Sequence, residues 1–209
     1  MIQNYGFSSE KPRKRRVISY QECMHDLKEV LPLLFQAFNE AFTLYEKEII
    51  QTGPEARPRG FEATLLNAKI IQCIQKHFPV NWRFGKYKRF ILGVDGYIVL
   101  FKKLNGKNMP MNIKTRMVRA ISNQLTLPLF ANSTQVENPI LFFGYKKDRA
   151  GNIIDPKLVY IDEGEVSWTI TANDITDTDS DASIVPQNDT PAGPTVKPGV
   201  AKKDTSSNK

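Results

Sequence analysis

Two β-prone runs joined by the pair Asp95-Gly96 constrain the fold of this chain more than any other feature. The runs read NWRFGKYKRFILGV before the pair and YIVLFKKL after it. An Asp-Gly pair between such runs favours a type I′ turn, because both central positions of that turn need a positive φ. Pairing outward from the turn puts Arg89 and Lys102 on the face that also carries Ile91. The sequence therefore predicts a β-hairpin with an apolar middle and a cationic open end.

The chain before this hairpin has helical periodicity instead of alternation. Ser19 with Glu22 three residues later is typical of a capping box at the start of a helix. Pro32 is expected to kink that helix or to begin a new one. Aromatic and aliphatic residues then recur at three- and four-residue spacing through residues 33–49, and a further helix is predicted from about residue 61 to 77.

Shorter elements follow the hairpin. Thr115 can cap a short helix, and residues 139–147 and 157–170 have the composition of strands. The acidic cluster from Asp162 to Glu165 most simply marks a turn between two of these strands. The order of elements predicts an α+β fold, with two or three N-terminal helices packed on an antiparallel sheet of two hairpins and one short intervening helix.

The two ends of the chain differ in composition from its middle. Residues 171–209 are rich in Thr, Ser, Asp and Pro and contain no aromatic residue, so they cannot bury enough apolar surface to offset chain entropy. We expect a disordered tail at 171–209, a disordered basic arm at 1–16 and a single α+β domain at 17–170.

Positive charge is concentrated in two blocks of the chain. The net charge is +7, yet residues 83–119 alone hold ten basic residues and one acid, Asp95, and the segment KPRKRR forms a second block at 11–16. An uncompensated cationic surface attracts polyanions by releasing their counterions, and aromatic residues among the cations can stack on bases. The sequence therefore predicts a small, regulatory nucleic-acid-binding protein for DNA or RNA. The candidate binding residues are Trp82, Arg83, Lys86, Tyr87, Lys88, Arg89, Lys102, Lys103, Lys107, Lys114, Arg116 and Arg119, with Tyr97 as a further stacking candidate.

Three other interpretations remain open. The cations can form a solvated sheet end that is balanced by Asp162, Glu163 and Glu165. A toxin-like ribonuclease can use the same patch for its substrate; Glu62, Asp95 and Lys102 have the residue types of a metal-dependent nuclease, but not its usual Asp…Glu-x-Lys spacing. The aromatic helix at 33–49 can bind a protein partner, or a second copy of the chain in a homodimer, although such a face is more often core.

No recognisable motif predicts a specific reaction, and the catalytic residues are unknown. The sequence lacks HExxH, GxSxG, GxGxxG and a Walker loop, so we expect no cofactor. Cys73 and His77 share a helical face, but buried thiols are the simpler interpretation, and we expect no metal. Two cysteines are too few for a disulfide framework, and no apolar run is long enough to span a membrane. We expect a cytoplasmic protein, or a nuclear one in a eukaryotic cell.

Overall fold

A six-stranded sheet between two unequal helical layers organises the structure. The computed structural model describes residues 13–85, 88–113, 115–126 and 137–180. Within these ranges the helices are α1 (Tyr20–Asp26), α2 (Val30–Ile49), α3 (Phe61–His77), α4 (Arg116–Ser122) and α5 (Ala172–Ser180), with a 3-10 turn at Pro54–Ala56. The strands are β1 (Trp82–Phe84), β2 (Phe90–Val94), β3 (Tyr97–Lys103), β4 (Ile140–Lys147), β5 (Ile153–Asp162) and β6 (Glu165–Thr171).

The strands lie in the sheet in their order along the chain. Strands β1 to β3 form one antiparallel meander, and β4 to β6 form another. The two meanders join through a parallel pairing of β3 with β4, and α4 lies in the crossover between these strands. The predicted α+β fold is confirmed, since a helical N-terminal half packs on a mostly antiparallel sheet.

The predicted Asp-Gly turn is present with the expected register. Asp95 has φ 44° and Gly96 has φ 80°, and Val94 pairs with Tyr97 in the neighbouring strand. The run before the turn differs from the expectation of a single strand. It divides into β1 and β2, which pair antiparallel, and a Gly85 N–H to Arg89 carbonyl bond of 2.8 Å lies between the end of β1 and the start of β2.

One face of the sheet packs against α1, α2 and α3 around an aromatic core. The side chains of Phe35 and Phe38 on α2 contact Phe143 of β4, with ring centroids 4.9 and 5.2 Å away. Tyr45 of α2 is also buried in this core. The aromatic face of residues 33–49 is therefore occupied by the chain's own sheet, as expected for an ordinary core face. Most of the surface that this helix was expected to offer a protein partner is therefore covered.

The other face of the sheet is covered by α4 and the segments beside it, and we call it the α4 face. Its apolar centre contains Ile91, Leu100 and Phe142 from the sheet and Ile121 from α4. The Thr115 hydroxyl caps α4 by accepting a bond from the Val118 N–H at 3.2 Å, as the sequence predicted. The apolar interior of this layer is small. Polar and charged residues therefore surround it.

Residues beyond both ends of the predicted 17–170 domain contact the body of the protein. Residues Arg13–Arg16 lie against the body, where Lys14 forms a β-bridge with Leu125 and Arg15 is buried. At the other end, α5 follows β6 directly, and Asp174 accepts a bond from the Tyr20 hydroxyl at 3.2 Å. Compositional bias did not reveal these contacts because they join residues more than a hundred positions apart. The rest of the predicted arm and tail, 1–12 and 181–209, lies outside the described residues.

Candidate nucleic-acid interface

Two cations face each other across strands β2 and β3 on the α4 face. The register of this hairpin pairs Leu92 with Val99. When it is continued toward the open end, it places Arg89 directly opposite Lys102, on the same face as Ile91. Like charges that are directly opposite on neighbouring strands destabilise a sheet. The pair therefore needs a compensating partner, either in the chain or outside it.

Arg89 and Lys102 line one small pocket and are both half-buried. Asn112 lines the same pocket, and Val118 of α4 forms part of its apolar wall. Burial lowers the pKa of Arg89, while burial and then the positive charge of Arg89 lower the pKa of Lys102. Both shifts have the sign of cations that have lost water without gaining an anionic partner.

Three further cations lie in the same layer. Arg83 pairs with Ile91 across β1 and β2, so its side chain is also on the α4 face. One of its guanidinium nitrogens, Nη2, is buried and has no hydrogen-bond partner in the described part of the chain. Arg116 and Arg119 are exposed and three positions apart, so they project from neighbouring positions on α4. We define the basic α4 face as Arg83, Arg89, Lys102, Arg116 and Arg119.

The cations of this block differ from many cations elsewhere in their ion pairing. In the described ranges, none of the basic residues between positions 83 and 119 forms a salt bridge. Eight cations outside this block do so: Lys14, Arg16, Arg57, Lys69, Lys76, Lys146, Lys147 and Lys157. The acids suggested as a balance for the block are partly used elsewhere, because Asp162 and Glu163 both pair with Lys14, at 2.9 and 3.2 Å.

The remaining predicted residues do not all share this surface. Side chains alternate along a strand, so Lys103 lies on the opposite face from Lys102, in register with Tyr145 of the aromatic core. Lys88 and Lys107 are exposed in loops at the open end of the hairpin. The prediction of one shared face for all the cations is thus wrong for Lys103. Lys86, Tyr87 and Lys114 lie outside the described residues.

Two of the three aromatic candidates, Trp82 and Tyr97, pack against the core of the protein. Trp82 is half-buried on the helical side of the sheet, where its ring stacks on Phe90 with centroids 6.0 Å apart. Tyr97 is fully buried, and its hydroxyl donates to Asp26 at 2.7 Å. Neither ring lies among the cations of the basic α4 face, so the expectation that Tyr97 stacks on exposed bases is wrong.

The basic segment at 11–16 also makes internal contacts over its described residues. Lys14 pairs with two acids, and Arg16 pairs with Glu22 and lies over the Tyr97 ring at 5.5 Å. The Arg15 guanidinium donates to the Asn138 carbonyl at 2.8 Å. Within residues 13–16, Lys14 and Arg16 therefore form ion pairs with the body of the protein, and Arg15 is held there by bonds to backbone carbonyls.

The residues considered for a metal-dependent nuclease lie far apart. Glu62 is on α3, on the helical side of the sheet, and binds Lys147 at 2.7 Å. Lys102 is on the α4 face, and Asp95 is in the turn at the opposite end of the hairpin, roughly 23 Å from Lys102 along the strand. The three residues therefore cannot bind one metal ion together.

The cysteines and histidines are placed as ordinary structural residues. Cys23 and Cys73 are buried free thiols, and the His77 Nε2 lies 2.8 Å from Glu40 Oε2. Over the described ranges, no three or more His, Cys, Asp or Glu side chains are grouped closely enough to hold a metal ion. In the same ranges, no helix has both the length and the apolar character required to cross a bilayer.

The geometry stands without support from known proteins. Comparisons with protein-family models, with curated proteins and with solved structures found no match. Any assignment of function therefore depends on the charges and contacts of this chain. Asn112 is the pocket residue that sequence reasoning missed, since an asparagine in a loop gives no signal of its own.

Proposed function

We propose that this protein binds nucleic acid through the basic α4 face, mainly by contacts with phosphate groups. The supporting observation is that these cations form no ion pair with any residue that the structure describes, in contrast to the paired cations on other surfaces. A surface that served only solubility would more often mix both signs of charge. Unpaired cations on one layer leave their positive potential available to a polyanion.

The arrangement favours recognition of the backbone over recognition of bases. The described aromatic candidates are packed in the protein, so stacking contributes little, and phosphate contacts carry no sequence information. We therefore expect similar affinities for different sequences of the same strand type. We also expect a strong dependence of affinity on salt.

The salt dependence can be predicted from the number of cations. If all five residues of the basic α4 face contact phosphates, log K against log salt has a slope of about −4.5 for duplex DNA and about −3.5 for a single strand. Fluorescence anisotropy with labelled DNA and RNA over a salt series measures this slope. Absence of binding at about 50 mM salt would refute the proposal.

Two exposed arginines test whether nucleic acid binds at the basic α4 face. The double substitution Arg116→Glu and Arg119→Glu should weaken binding strongly and flatten the slope by about 2, because two phosphate contacts are lost. Lys28→Glu with Lys47→Glu is the matched control, since these exposed lysines belong to the N-terminal helical half and the change in net charge is the same. Equal losses in both variants would show that overall charge, and not this face, controls binding.

A ribonuclease that uses the same surface is distinguished in the same preparation. Labelled RNA is incubated with the protein with and without magnesium, and its length is followed on a denaturing gel. Intact RNA together with salt-dependent binding supports a binding protein. Cleavage that is lost in the Arg116→Glu, Arg119→Glu variant would replace the binding proposal with a nuclease.

A further inference from the structure

The pocket between Arg89, Lys102 and Asn112 has the features of an anion site. Its two cations are directly opposite in the extended register of β2 and β3, so the fold holds them at close range. Its floor is formed by Leu100, Ile121 and Phe142, and Ile121 and Phe142 are each no more than 3% exposed. The apolar floor removes water from one side of the two cations, which strengthens their interaction with any anion that enters.

No acid of the described chain reaches this pocket. Neither Arg89 nor Lys102 takes part in a salt bridge there, although Lys157, on the same face two strands beyond Lys102, is paired with Asp155 at 2.8 Å. The described chain thus supplies an acid to one buried cation of this face and supplies none to the Arg89–Lys102 pair. Half-buried like charges without a partner reduce stability, so their presence calls for a reason outside the fold.

The size and chemistry of the pocket limit the anion. The enclosed volume is about 10 Å³, which is about the space of one water molecule. A single oxygen atom fits there, while the remainder of the anion stays at the mouth. The guanidinium and the ammonium can donate to this oxygen and its neighbours, and the Asn112 amide supplies a further polar group.

We propose that Arg89, Lys102 and Asn112 form a dedicated site for one phosphate group, which inserts one oxygen between the two cations. The inference rests on the proposed function for the source of that phosphate. A backbone phosphodiester and a terminal phosphomonoester share this chemistry. Exposed Arg116 and Arg119 then supply diffuse attraction, while the pocket fixes the position of the strand.

The test uses two adjacent lysines on opposite faces of β3. Lys102→Gln removes the charge in the pocket, and Lys103→Gln is the matched control with the same change in charge and chemistry. We expect Lys102→Gln to weaken binding of a single-stranded oligonucleotide about tenfold, because the loss of one hydrogen bond to a charged group changes affinity by about this factor. Lys103→Gln should weaken binding by less than about twofold. Oligonucleotides with and without a 5′-phosphate distinguish the terminal group from the backbone.

Inorganic phosphate tests the pocket independently of nucleic acid. Thermal unfolding of the full chain is followed with sodium phosphate and with sodium chloride at equal ionic strength. Phosphate should stabilise the unmodified protein and the Lys103→Gln variant, but not Lys102→Gln. Without phosphate, Lys102→Gln should unfold at the same or a higher temperature, because the substitution relieves repulsion from Arg89.

The outcomes separate this inference from the proposed function. If Lys102→Gln and Lys103→Gln bind the oligonucleotide equally while Arg116→Glu with Arg119→Glu still loses binding, the pocket is refuted and the interface stands. If no oligonucleotide binds but phosphate stabilises the protein only when Lys102 is present, the nucleic-acid proposal fails and the site serves a phosphomonoester. Equal stabilisation of all variants by phosphate would refute the proposed phosphate site in this pocket.

Discussion

Replacing Gln124 by methionine should destabilise the protein severely, because this side chain joins three parts of the structure. Gln124 follows α4 and is fully buried. Its Nε2 donates to the carbonyl oxygens of Ile140 in β4 and Ile161 in β5 at 2.9 and 2.7 Å, and its Oε1 accepts from the Ile140 N–H at 2.9 Å. Methionine keeps a similar volume but offers no comparable donor or acceptor.

The expected loss of stability follows from the three backbone groups that lose Gln124 as a hydrogen-bond partner. A buried donor or acceptor left without a hydrogen bond costs about 1–3 kcal/mol, and the Ile140 N–H loses its bond to Gln124 Oε1. We therefore expect Gln124→Met to lower the free energy of unfolding by about 3–5 kcal/mol. For a domain of this size, such a loss lowers the melting temperature by roughly 10 °C.

Urea unfolding followed by circular dichroism measures this loss directly. Gln51→Met is the matched control, since the Gln51 side chain is exposed and donates to the Lys47 carbonyl at 3.3 Å on the surface of the protein. The control should change stability by less than about 0.5 kcal/mol. If Gln124→Met also stays within about 1 kcal/mol of the unmodified protein, the assignment of Gln124 as the link between α4 and the sheet is wrong.

Three further predictions concern packing, pH and thiol reactivity. Gly144→Ala should lower the free energy of unfolding by about 2 kcal/mol, because a Cβ there would meet the Leu104 methyl carbons at 2.7 Å. An unchanged midpoint in urea unfolding would refute this close approach. Bonding to Lys147, and then to Arg57, lowers the pKa of the Glu62 carboxyl, so Glu62→Gln should be destabilising above pH of about 4.3. This penalty should vanish as the pH falls through the lower folded-state pKa, and a penalty that persisted at acid pH would contradict the ion pair. Burial raises the pKa of the Cys23 thiol to about 12, so iodoacetamide should label Cys23 only after unfolding; mass spectrometry that finds rapid labelling of the native protein would show that the core opens there.

Local rules predicted the local parts of this fold. The Asp95-Gly96 turn determined the register of the hairpin, and the alternation of its strands predicted that Arg89 and Lys102 lie on one face. Ser19 and Thr115 cap their helices as expected, because a cap depends only on the next three residues. The pocket was therefore partly visible in the sequence as two cations at the open end of a hairpin.

Contacts between distant residues could not be predicted in this way. The pairing of β3 with β4 crosses a long connection, and no short pattern specifies which strand becomes a parallel neighbour. The docking of Arg15 against Asn138 likewise depends on residues far away in the sequence, so a basic run looked like a free arm. The grouping of Lys103 with Lys102 failed for a simpler reason, because neighbours in a strand point to opposite faces.

The parallel seam between β3 and β4 has a consequence for how the chain reaches this structure. Each three-stranded meander contains only pairings between consecutive strands, which close small loops and form quickly. The seam closes a much longer loop. The chain therefore loses the conformational entropy of that loop before the two halves stabilise one another. We expect the halves to assemble first and the seam to form last. Amides of β3 and β4 that bond across the seam should then gain protection from hydrogen exchange later during refolding than amides that bond within either meander.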